Sequence, residues 1–205
     1  MNELQRAMRR IRLWPIRHYR DIEGWLTGNE ALALFRVARG LGPQARVLEI
    51  GSWKGKSTYC IARGLRGGVV YALDPFNAAG ETGNGYDTVR GERPLVEQFR
   101  DNLSRYDAIR RVEIRQGYSQ DFAGAFTALD FLFIDGDHSI EGCRYDFETF
   151  GPAVKPGGWL AFHDYYPDRA ELGPTWVVDR LVTESGIWRR QGRHDSLILF
   201  RGAAA

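Results

Sequence analysis

Short apolar runs alternate along this chain with segments of helical spacing. Five of these runs are rich in β-branched and aromatic residues: RVLEI at 46–50, GVVYALD at 68–74, RVEIRQ at 111–116, LDFLFIDG at 129–136 and GGWLAFHD at 157–164. Helical segments separate them, the shortest being FAGAF at 122–126. The alternation predicts βαβ units and a mainly parallel sheet with helices on both faces.

Two further runs stand close together near the C-terminus, IWRRQGR at 187–193 and SLILFRG at 196–202. Such close spacing is typical of an antiparallel hairpin. With five parallel strands before it, this hairpin completes a seven-stranded, Rossmann-like α/β sheet. A helix is predicted ahead of the first strand, in TGNEALALFRVARGLG at 27–42, because a capping residue opens it and a glycine ends it.

Polar residues follow each of the five predicted parallel strands. In an open parallel sheet, ligands bind where the carboxyl ends of the strands meet. We therefore expect one functional site at this edge, formed by Glu49, Gly51, Asp74, residues 116–120, residues 135–138, His163 and Asp164.

The bulk composition is that of one globular domain, with 205 residues, 43% hydrophobic and 26% charged. A net charge of +2 is too small to indicate nucleic-acid binding, and no [DN]-P-P-[YFW] motif is present to grip a flipped base. No apolar run approaches the roughly 18 to 20 residues that cross a bilayer, and no signal peptide is recognisable. Cys60 and Cys143 form neither a disulfide framework nor a CxxC pair, so we expect a cytoplasmic setting.

The first 26 residues are predicted to be a basic helical extension, and residues 27–205 a single domain. Apolar residues at helical spacing are interleaved there with the arginines Arg6, Arg9, Arg10, Arg12, Arg17 and Arg20. One hypothesis is a surface for phosphate, membrane or an acidic partner. We favour the other, a solvated helix whose apolar side packs on the domain or on a second subunit of a homodimer.

The stretch VLEIGSWKGKST, at 47–58, has two glycines directly after a strand. Gly51 is expected to permit a tight turn, and Gly55 to let the next helix start close to the sheet or to a ligand. The spacing E-x-G-x-x-x-G differs from the two common phosphate-binding patterns, and the charge of Glu49 would repel a pyrophosphate. An ammonium group or ribose hydroxyls suit this loop better. Lys54 and Lys56 could reach a phosphate, but we interpret them as facing solvent.

Four motifs in this order, LEIGSWKGKST, GYSQDF, LDFLFIDGDHS and PGGWLAFHDYYP, resemble those of class I S-adenosylmethionine-dependent methyltransferases. The chain is most similar to small-molecule O-methyltransferases, which include the catechol type and the sugar O-methyltransferases of macrolide biosynthesis. The resemblance covers residues 27–200. It implies that S-adenosylmethionine lies with its methionine end on the first loop, against Glu49, Gly51, Ser52, Trp53, Gly55 and Ser57.

The resemblance also indicates where the nucleoside of the cofactor would lie. Catechol-type enzymes carry the ribose-binding acid two residues earlier, where this chain has Ala72, so we assign the ribose to Asp74. The alternative is that Asp74 caps the turn before Pro75. Ser119 and Gln120 match residues at the adenine edge, although Ser119 would equally suit a helix cap.

Two aspartates follow the fourth and fifth predicted strands. The resemblance matches Asp135 and Asp164 to two metal-binding aspartates, and it also assigns Asp135 to the cofactor site. His138 falls at the position of the general base, which removes the proton of the acceptor hydroxyl. The third metal ligand of the family is an amide or an acid, and here His163 is the candidate. Carboxylate ligands suit Mg²⁺, whereas an imidazole suits softer ions, so the metal stays open. Asp137 is interpreted as a turn residue.

A long connection at 76–94 is expected to fold over a hydroxyl acceptor, with Tyr86, Arg90 and Arg93 as contacts. Aromatic residues after the fifth strand, Tyr165, Tyr166 and Trp176, would suit a sugar ring or a phenol, or merely pack at the rim. The leading hypothesis is an O-methyltransferase. The alternatives are a hydroxylase-like enzyme on the same fold and a cofactor-binding scaffold without turnover.

Overall fold

The structure is a computed structural model, and it describes residue 8 and residues 11–77 and 91–204. The strands are β1 (Arg46–Ile50), β2 (Val69–Asp74), β3 (Val112–Gln116), β4 (Leu129–Ile134), β5 (Val154–Phe162), β6 (Trp188–His194) and β7 (Leu197–Gly202). The α-helices are α1 (Gly28–Arg39), α2 (Lys56–Gly64), α3 (Leu95–Arg105), α4 (Ile140–Phe150) and α5 (Gly173–Val177), the last continued by a π-helical turn (Val178–Val182).

The described strands form one seven-stranded sheet in the order β3-β2-β1-β4-β5-β7-β6. The first five strands run parallel, and β7 pairs antiparallel with both β5 and β6. The predicted Rossmann-like fold with a terminal hairpin is therefore confirmed. The switch in strand order between β1 and β4 opens a crevice at the carboxyl edge of the sheet, which is where ligands bind in such folds.

Both faces of the sheet are buried, as the side chains of β4 show. Phe131 and Phe133 point into one hydrophobic cluster together with residues of α1, α2 and α3. Leu132 and Ile134 alternate with them and point into a second cluster, which includes residues of α4 and α5. A strand packed on both faces holds the residue that follows it, Asp135, in a fixed position.

Helix α1 begins as its sequence predicts. The hydroxyl of Thr27 accepts a hydrogen bond from the amide of Glu30, and the carboxylate of Glu30 accepts one from the amide of Thr27. This reciprocal capping box satisfies two donors that a helix N-terminus otherwise leaves free. It also fixes the direction of the Glu30 side chain, which is 1% exposed.

The segment before α1 forms a 3-10 helix over Trp14–Arg20, and its inward side chains belong to the first cluster. Ile16 and Ile22 are fully buried, whereas Ile11 and Trp14 are exposed. The segment thus packs on the domain, and the homodimer stays a prediction. Among the described residues, no helix is long and apolar enough to span a bilayer.

One predicted helix is absent from its expected place. FAGAF, at 122–126, is not helical beyond Phe122, where a 3-10 turn over Ser119–Phe122 ends. Phe122 and Phe126 instead pack against the second cluster, with their ring centroids 6.5 Å apart. Burial of these two rings outweighs the helical spacing of so short a segment.

Candidate active site

A cavity of about 1070 Å³ opens at the carboxyl edge of the sheet. The loops after all five parallel strands contribute to its wall, as does the segment from Glu23 to Thr27. Eight of the ten residues predicted at the cofactor lie on this wall: Gly51, Ser52, Trp53, Ser57, Asp74, Ser119, Gln120 and Asp135. The volume exceeds the usual range for one small ligand, roughly 300 to 1,000 Å³, and so suits two ligands side by side.

Gly51 is required by the crossing of two backbone segments. A Cβ atom there would lie 1.9 Å from the carbonyl oxygen of Asp135, and φ is +84°. The amide of Asp135 donates to the carbonyl of Ile50 at 2.8 Å, which draws the ends of β1 and β4 together. The absence of a side chain at Gly51 therefore makes room for the neighbouring strand end, which in turn shapes the cavity wall.

Gly55 does not lie on the cavity wall, and its assignment to the cofactor stays a prediction. Its φ is +87°, and a Cβ atom would lie 3.0 Å from the ring of Phe99. Gly55 therefore allows the start of α2 to pack closely on α3, in the hydrophobic core. Glycine is needed here for packing and for the left-handed backbone.

Glu49 also lies behind the cavity wall and is fully buried, and its part in the cofactor site stays a prediction. One carboxylate oxygen accepts from the hydroxyls of Ser52, at 2.9 Å, and of Thr58. Burial raises the pKa of Glu49 to about 7, although these hydroxyls oppose the shift. From inside the protein, Glu49 thus holds in place the loop after β1, residues 51–55, which we call the glycine loop.

Lys54 and Lys56 do not both face solvent, so that interpretation was wrong. Lys54 is 4% exposed, and its ammonium lies 2.6 Å from the carboxylate of Glu23. The ammonium of Lys56 donates to the carbonyl of Gly24 at 2.8 Å. Together the two lysines fasten the segment ahead of α1 to the glycine loop, and so close one side of the cavity.

Asp74 joins the ends of β1 and β2. One of its carboxylate oxygens accepts from the amides of Ser52 and Trp53, both at 2.8 Å, and the other from the amide of Phe76 at 2.6 Å. Burial raises the pKa of Asp74, and the three amides oppose this. The capping role is thus present, while the side chain also lies on the cavity wall. Trp53 and Phe76, whose amides it holds, both have left-handed backbones, with φ of 47° and 53°.

Ser119 and Gln120 lie on the wall after β3, at the start of the 3-10 turn. Tyr118, rather than Ser119, occupies the capping position, and its amide donates to Asp121 at 2.9 Å. The Tyr118 hydroxyl accepts from the amide group of Asn77, which closes the wall between β2 and β3.

Three predicted reactive residues come together after β4 and β5. The Nε2 atom of His138 lies 3.8 Å from an oxygen of Asp135 and 3.4 Å from an oxygen of Asp164. The side chain of His138 is 16% exposed, so it can reach a ligand in the cavity. Asp164 has a left-handed backbone, with φ of 53°, and such strain in a non-glycine residue is found disproportionately at functional sites.

His163 lies beneath this group and is almost completely buried. Its Nδ1 atom is 3.1 Å from Asp135 and 3.2 Å from Asp164, and its Nε2 atom is 3.4 Å from Glu30. Burial alone would lower the pKa of His163, but the surrounding carboxylates raise it strongly. The sequence did not indicate that Glu30 pairs with His163, because the capping box of α1 already explains an acid at that position.

The donor set gives a test of metal binding. Among the described residues, Asp135, His138 and Asp164 have ligand atoms within 4.8 Å of one another. His163, predicted as the third ligand, is not in this group, although its Nδ1 atom lies 3.1 and 3.2 Å from oxygens of Asp135 and Asp164. The two aspartates fit a hard divalent cation, and His163 as a further ligand stays a prediction.

Asp137 is the turn residue that was expected, since its carboxylate accepts from the amide of Ser139 at 2.8 Å. Ser139 in turn caps α4. This short hydrogen-bonded turn fixes the position of His138 between them. Removal of either side chain would loosen the loop that carries the histidine.

The far end of the cavity is lined by Trp25, Tyr166, Arg169, Leu172 and Asp195. Of the residues expected at the acceptor, Tyr86 and Arg90 lie outside the described residues. Arg93 pairs with Asp101 at 2.8 Å, away from the cavity wall. Tyr165 and Trp176 pack in the second cluster, so Tyr166 is the aromatic residue of that set which lines the cavity.

Comparison with known proteins identifies the class to which this fold and site belong. A family model described as a methyltransferase domain matches residues 48–165, which is more than half of the chain. The chain therefore belongs to this methyltransferase-domain family, and its fold is that of the class I S-adenosylmethionine-dependent methyltransferases.

Individual relatives are distant. An uncharacterised protein of Acanthamoeba polyphaga mimivirus, R132, is 27% identical over 67% of this chain, and the match spans 59% of that relative. A methyltransferase from Geobacter sulfurreducens is 18% identical, with a TM-score of 0.64 over 100% of this chain and 90% of its own.

Two O-methyltransferases share the fold at the same level of identity. TomG of Streptomyces achromogenes, which is involved in tomaymycin synthesis and was solved with S-adenosylmethionine, is 18% identical with a TM-score of 0.63, over 88% of this chain and 82% of its own. An O-methyltransferase from Bacillus cereus, solved with S-adenosylhomocysteine, is 18% identical with a TM-score of 0.61, over 96% and 90%.

Proposed function

We propose that this protein transfers the methyl group of S-adenosylmethionine to a hydroxyl oxygen of a small molecule, with His138 as the general base. The observation that carries the proposal is the position of His138 in one cavity with the glycine loop, next to Asp164 at 3.4 Å. The O-methyltransferases that share the fold support the type of acceptor. A sugar or a phenol is the expected class.

In this proposal the cofactor extends along the carboxyl edge of the sheet. The loop from Gly51 to Trp53 takes its methionine end, Asp74 the ribose, and Ser119 with Gln120 the adenine. Carboxylates from Asp74 and Asp135 face this part of the cavity, and negative charge suits a positively charged sulfonium ligand. A pyrophosphate would be repelled by the same groups.

Methyl transfer requires an acceptor oxygen aligned with the methyl group and the removal of its proton. The imidazole of His138 accepts that proton while the oxygen forms a bond to the methyl carbon. The bond between the methyl carbon and sulfur breaks, its electron pair returns to sulfur, and S-adenosylhomocysteine leaves. Asp164 and Asp135, at 3.4 and 3.8 Å from Nε2, stabilise the imidazolium that forms.

We further propose that Asp135 and Asp164 hold a divalent cation, with Mg²⁺ as the expected ion. When bound, such an ion would lower the pKa of the acceptor hydroxyl. The carboxylate pair supports this assignment by its ligand chemistry.

The experiment has two stages. Calorimetry with S-adenosylmethionine and S-adenosylhomocysteine, with Mg²⁺ or with EDTA, measures the affinity for the cofactor and its dependence on the ion. Methyl transfer to a panel of phenols and sugars is then followed by the release of S-adenosylhomocysteine, for the wild type and for His138→Ala. We expect His138→Ala to lose at least about 100-fold in turnover, in the range that general-base catalysis contributes, while cofactor affinity is retained.

The matched control is His194→Ala, a histidine of the terminal hairpin outside the cavity wall. It should leave turnover unchanged. Full activity of His138→Ala would refute the assignment of the base. Cofactor binding without methyl transfer to any acceptor would favour the alternative of a cofactor-binding scaffold without turnover.

The cytoplasmic setting stays a prediction from the sequence.

A further inference from the structure

A carboxylate lies on the buried face of α4, where the helix should be apolar. The inward positions of this helix are Cys143, Asp146 and Phe150, spaced three and four residues apart. Asp146 is 3% exposed, between a buried thiol and a buried aromatic ring. A carboxylate at such a position lowers the stability of the fold. Asp146 takes no part in the methyl transfer proposed for His138.

Asp146 lies at the end of the cavity formed by the loops after β3 and β4. It is part of the cavity wall, together with Ser119, Gln120 and Gly136. Ser119 lies close enough to act on the pKa of this carboxyl, while its hydroxyl donates to the side-chain oxygen of Gln120 at 3.4 Å. A Cβ atom on Gly136 would come within 3.3 Å of an Asp146 oxygen, so the glycine keeps the space in front of the carboxylate small but open.

The environment of Asp146 disfavours the ionised form of its carboxyl group. Burial raises its pKa to about 6, and the nearby Ser119 hydroxyl only partly opposes that shift. The charge of Asp137 adds to the rise. Buried acids with raised pKa values, placed on a cavity wall, are concentrated at functional sites.

We propose that Asp146 accepts a hydrogen bond from the exocyclic amino group of the cofactor's adenine, and that it thereby selects adenine over a 6-oxopurine. The inference rests on the proposed function, which places adenine beside Ser119 and Gln120. An ionised carboxylate has acceptors and no donor, so it complements an amino group. It repels the carbonyl oxygen that hypoxanthine carries at the same position.

The test compares S-adenosylhomocysteine with S-inosylhomocysteine, in which an oxygen replaces the exocyclic amino group and N1 carries a proton. Calorimetry at pH 7.5 measures both affinities, for the wild type and for Asp146→Asn. Hydrogen bonds to charged groups contribute enough for a preference of about 10- to 100-fold, so we expect the wild type to favour S-adenosylhomocysteine by that factor. In Asp146→Asn the preference should fall below about 3-fold, because an amide presents either a donor or an acceptor.

Glu148→Gln is the matched control, since Glu148 lies on the same helix and pairs with Arg144 on the exposed face. It should keep the preference of the wild type. If the asparagine variant does not fold, as judged by circular dichroism, Asp146→Ser takes its place with the same expected loss.

Two outcomes would overturn the inference while the proposed function stands. One is tight binding of both ligands by the wild type, and the other is an unchanged preference in a folded Asp146 variant. Failure of the wild type to bind S-adenosylhomocysteine would instead remove the proposed function, and this inference with it. The three results are distinguishable in one set of titrations.

Discussion

Glu30 on α1 faces His163 at the end of β5, with 3.4 Å between a carboxylate oxygen and Nε2. The same carboxylate accepts hydrogen bonds from the amide and the hydroxyl of Ser196, at 2.9 and 2.8 Å. One buried acid therefore joins the first helix, the fifth strand and the terminal hairpin. Since His163 in turn contacts Asp135 and Asp164, Glu30 supports the reactive edge from behind.

Glu30→Gln should lower the free energy of unfolding, and the loss should depend on pH. Burial opposes ionisation of Glu30, but His163 outweighs it and lowers the pKa to about 2, from an ordinary 4.5. A carboxyl with a lowered pKa stabilises the fold above pH 4.5, and this contribution disappears as the pH falls from 4.5 towards 2. The shift corresponds to about 3 kcal/mol at pH 7.

Urea denaturation between pH 7 and pH 4 measures this loss, which should shrink at the acid end of the series. Glu97→Gln, on the exposed face of α3, is the control and should stay within about 0.5 kcal/mol of the wild type. A loss at Glu30→Gln that is the same at every pH would show that shape, rather than charge, matters at this position.

Gly51→Ala should prevent the strand ends from closing. Its Cβ atom would lie 1.9 Å from the carbonyl oxygen of Asp135, which belongs to the backbone and cannot rotate away. We expect a loss of about 4 kcal/mol or more, or no folded protein. Gly124→Ala isolates the cost of the backbone conformation, because φ is +75° there and no atom of the described residues lies within 4 Å of the added Cβ. That control should lose only about 1 kcal/mol in thermal unfolding.

Asp74→Asn should weaken both the glycine loop and the binding of S-adenosylhomocysteine. The carboxylate accepts three amide hydrogen bonds on its two oxygens, and an asparagine would turn a donor towards one of those amides. We expect a loss of about 1 to 3 kcal/mol in stability and about tenfold in affinity, measured by urea denaturation and calorimetry. Asp101→Asn, an exposed partner of Arg93, should change neither quantity.

The sheet, its order of strands and the edge that carries the site follow from local patterns in the sequence. An apolar run such as LDFLFI is typical of a parallel strand that is buried on both faces. The residue after the run must then lie at the carboxyl edge of the sheet. Residues placed by strand ends, such as Asp135 and Asp164, were accordingly located correctly.

The errors concern residues whose partners lie far away in the chain. Nothing local reveals that Phe99 packs against Gly55. Lys54 was assigned to solvent because its partner, Glu23, lies in a segment read only as basic and helical. Glu30 contacts Ser196 across 166 residues, which no periodicity indicates. Single-sequence patterns specify elements, whereas these contacts arise only when the elements pack.

Asp146→Asn should make the protein more stable at neutral pH, the opposite of the usual effect at a buried position. Burial raises the pKa of Asp146 from 3.8 to about 6, so the folded state binds a proton more readily than the unfolded state does. Stability contributed by that proton is complete below about pH 3.8 and is lost as the pH rises through 6. At pH 7.5 the ionised carboxylate costs up to about 3 kcal/mol, and a neutral amide avoids most of this.

We expect a gain of about 1 to 3 kcal/mol at pH 7.5 in urea denaturation of Asp146→Asn, and a smaller gain at pH 5. Glu148→Gln, on the solvent side of the same helix, should show no such trend. A variant that is less stable than the wild type at pH 7.5 would mean that partners within the fold already satisfy the carboxylate. A gain in stability together with a loss of the preference for adenine over hypoxanthine would instead show that Asp146 serves cofactor binding. Residues that bind a ligand often destabilise the protein without its ligand.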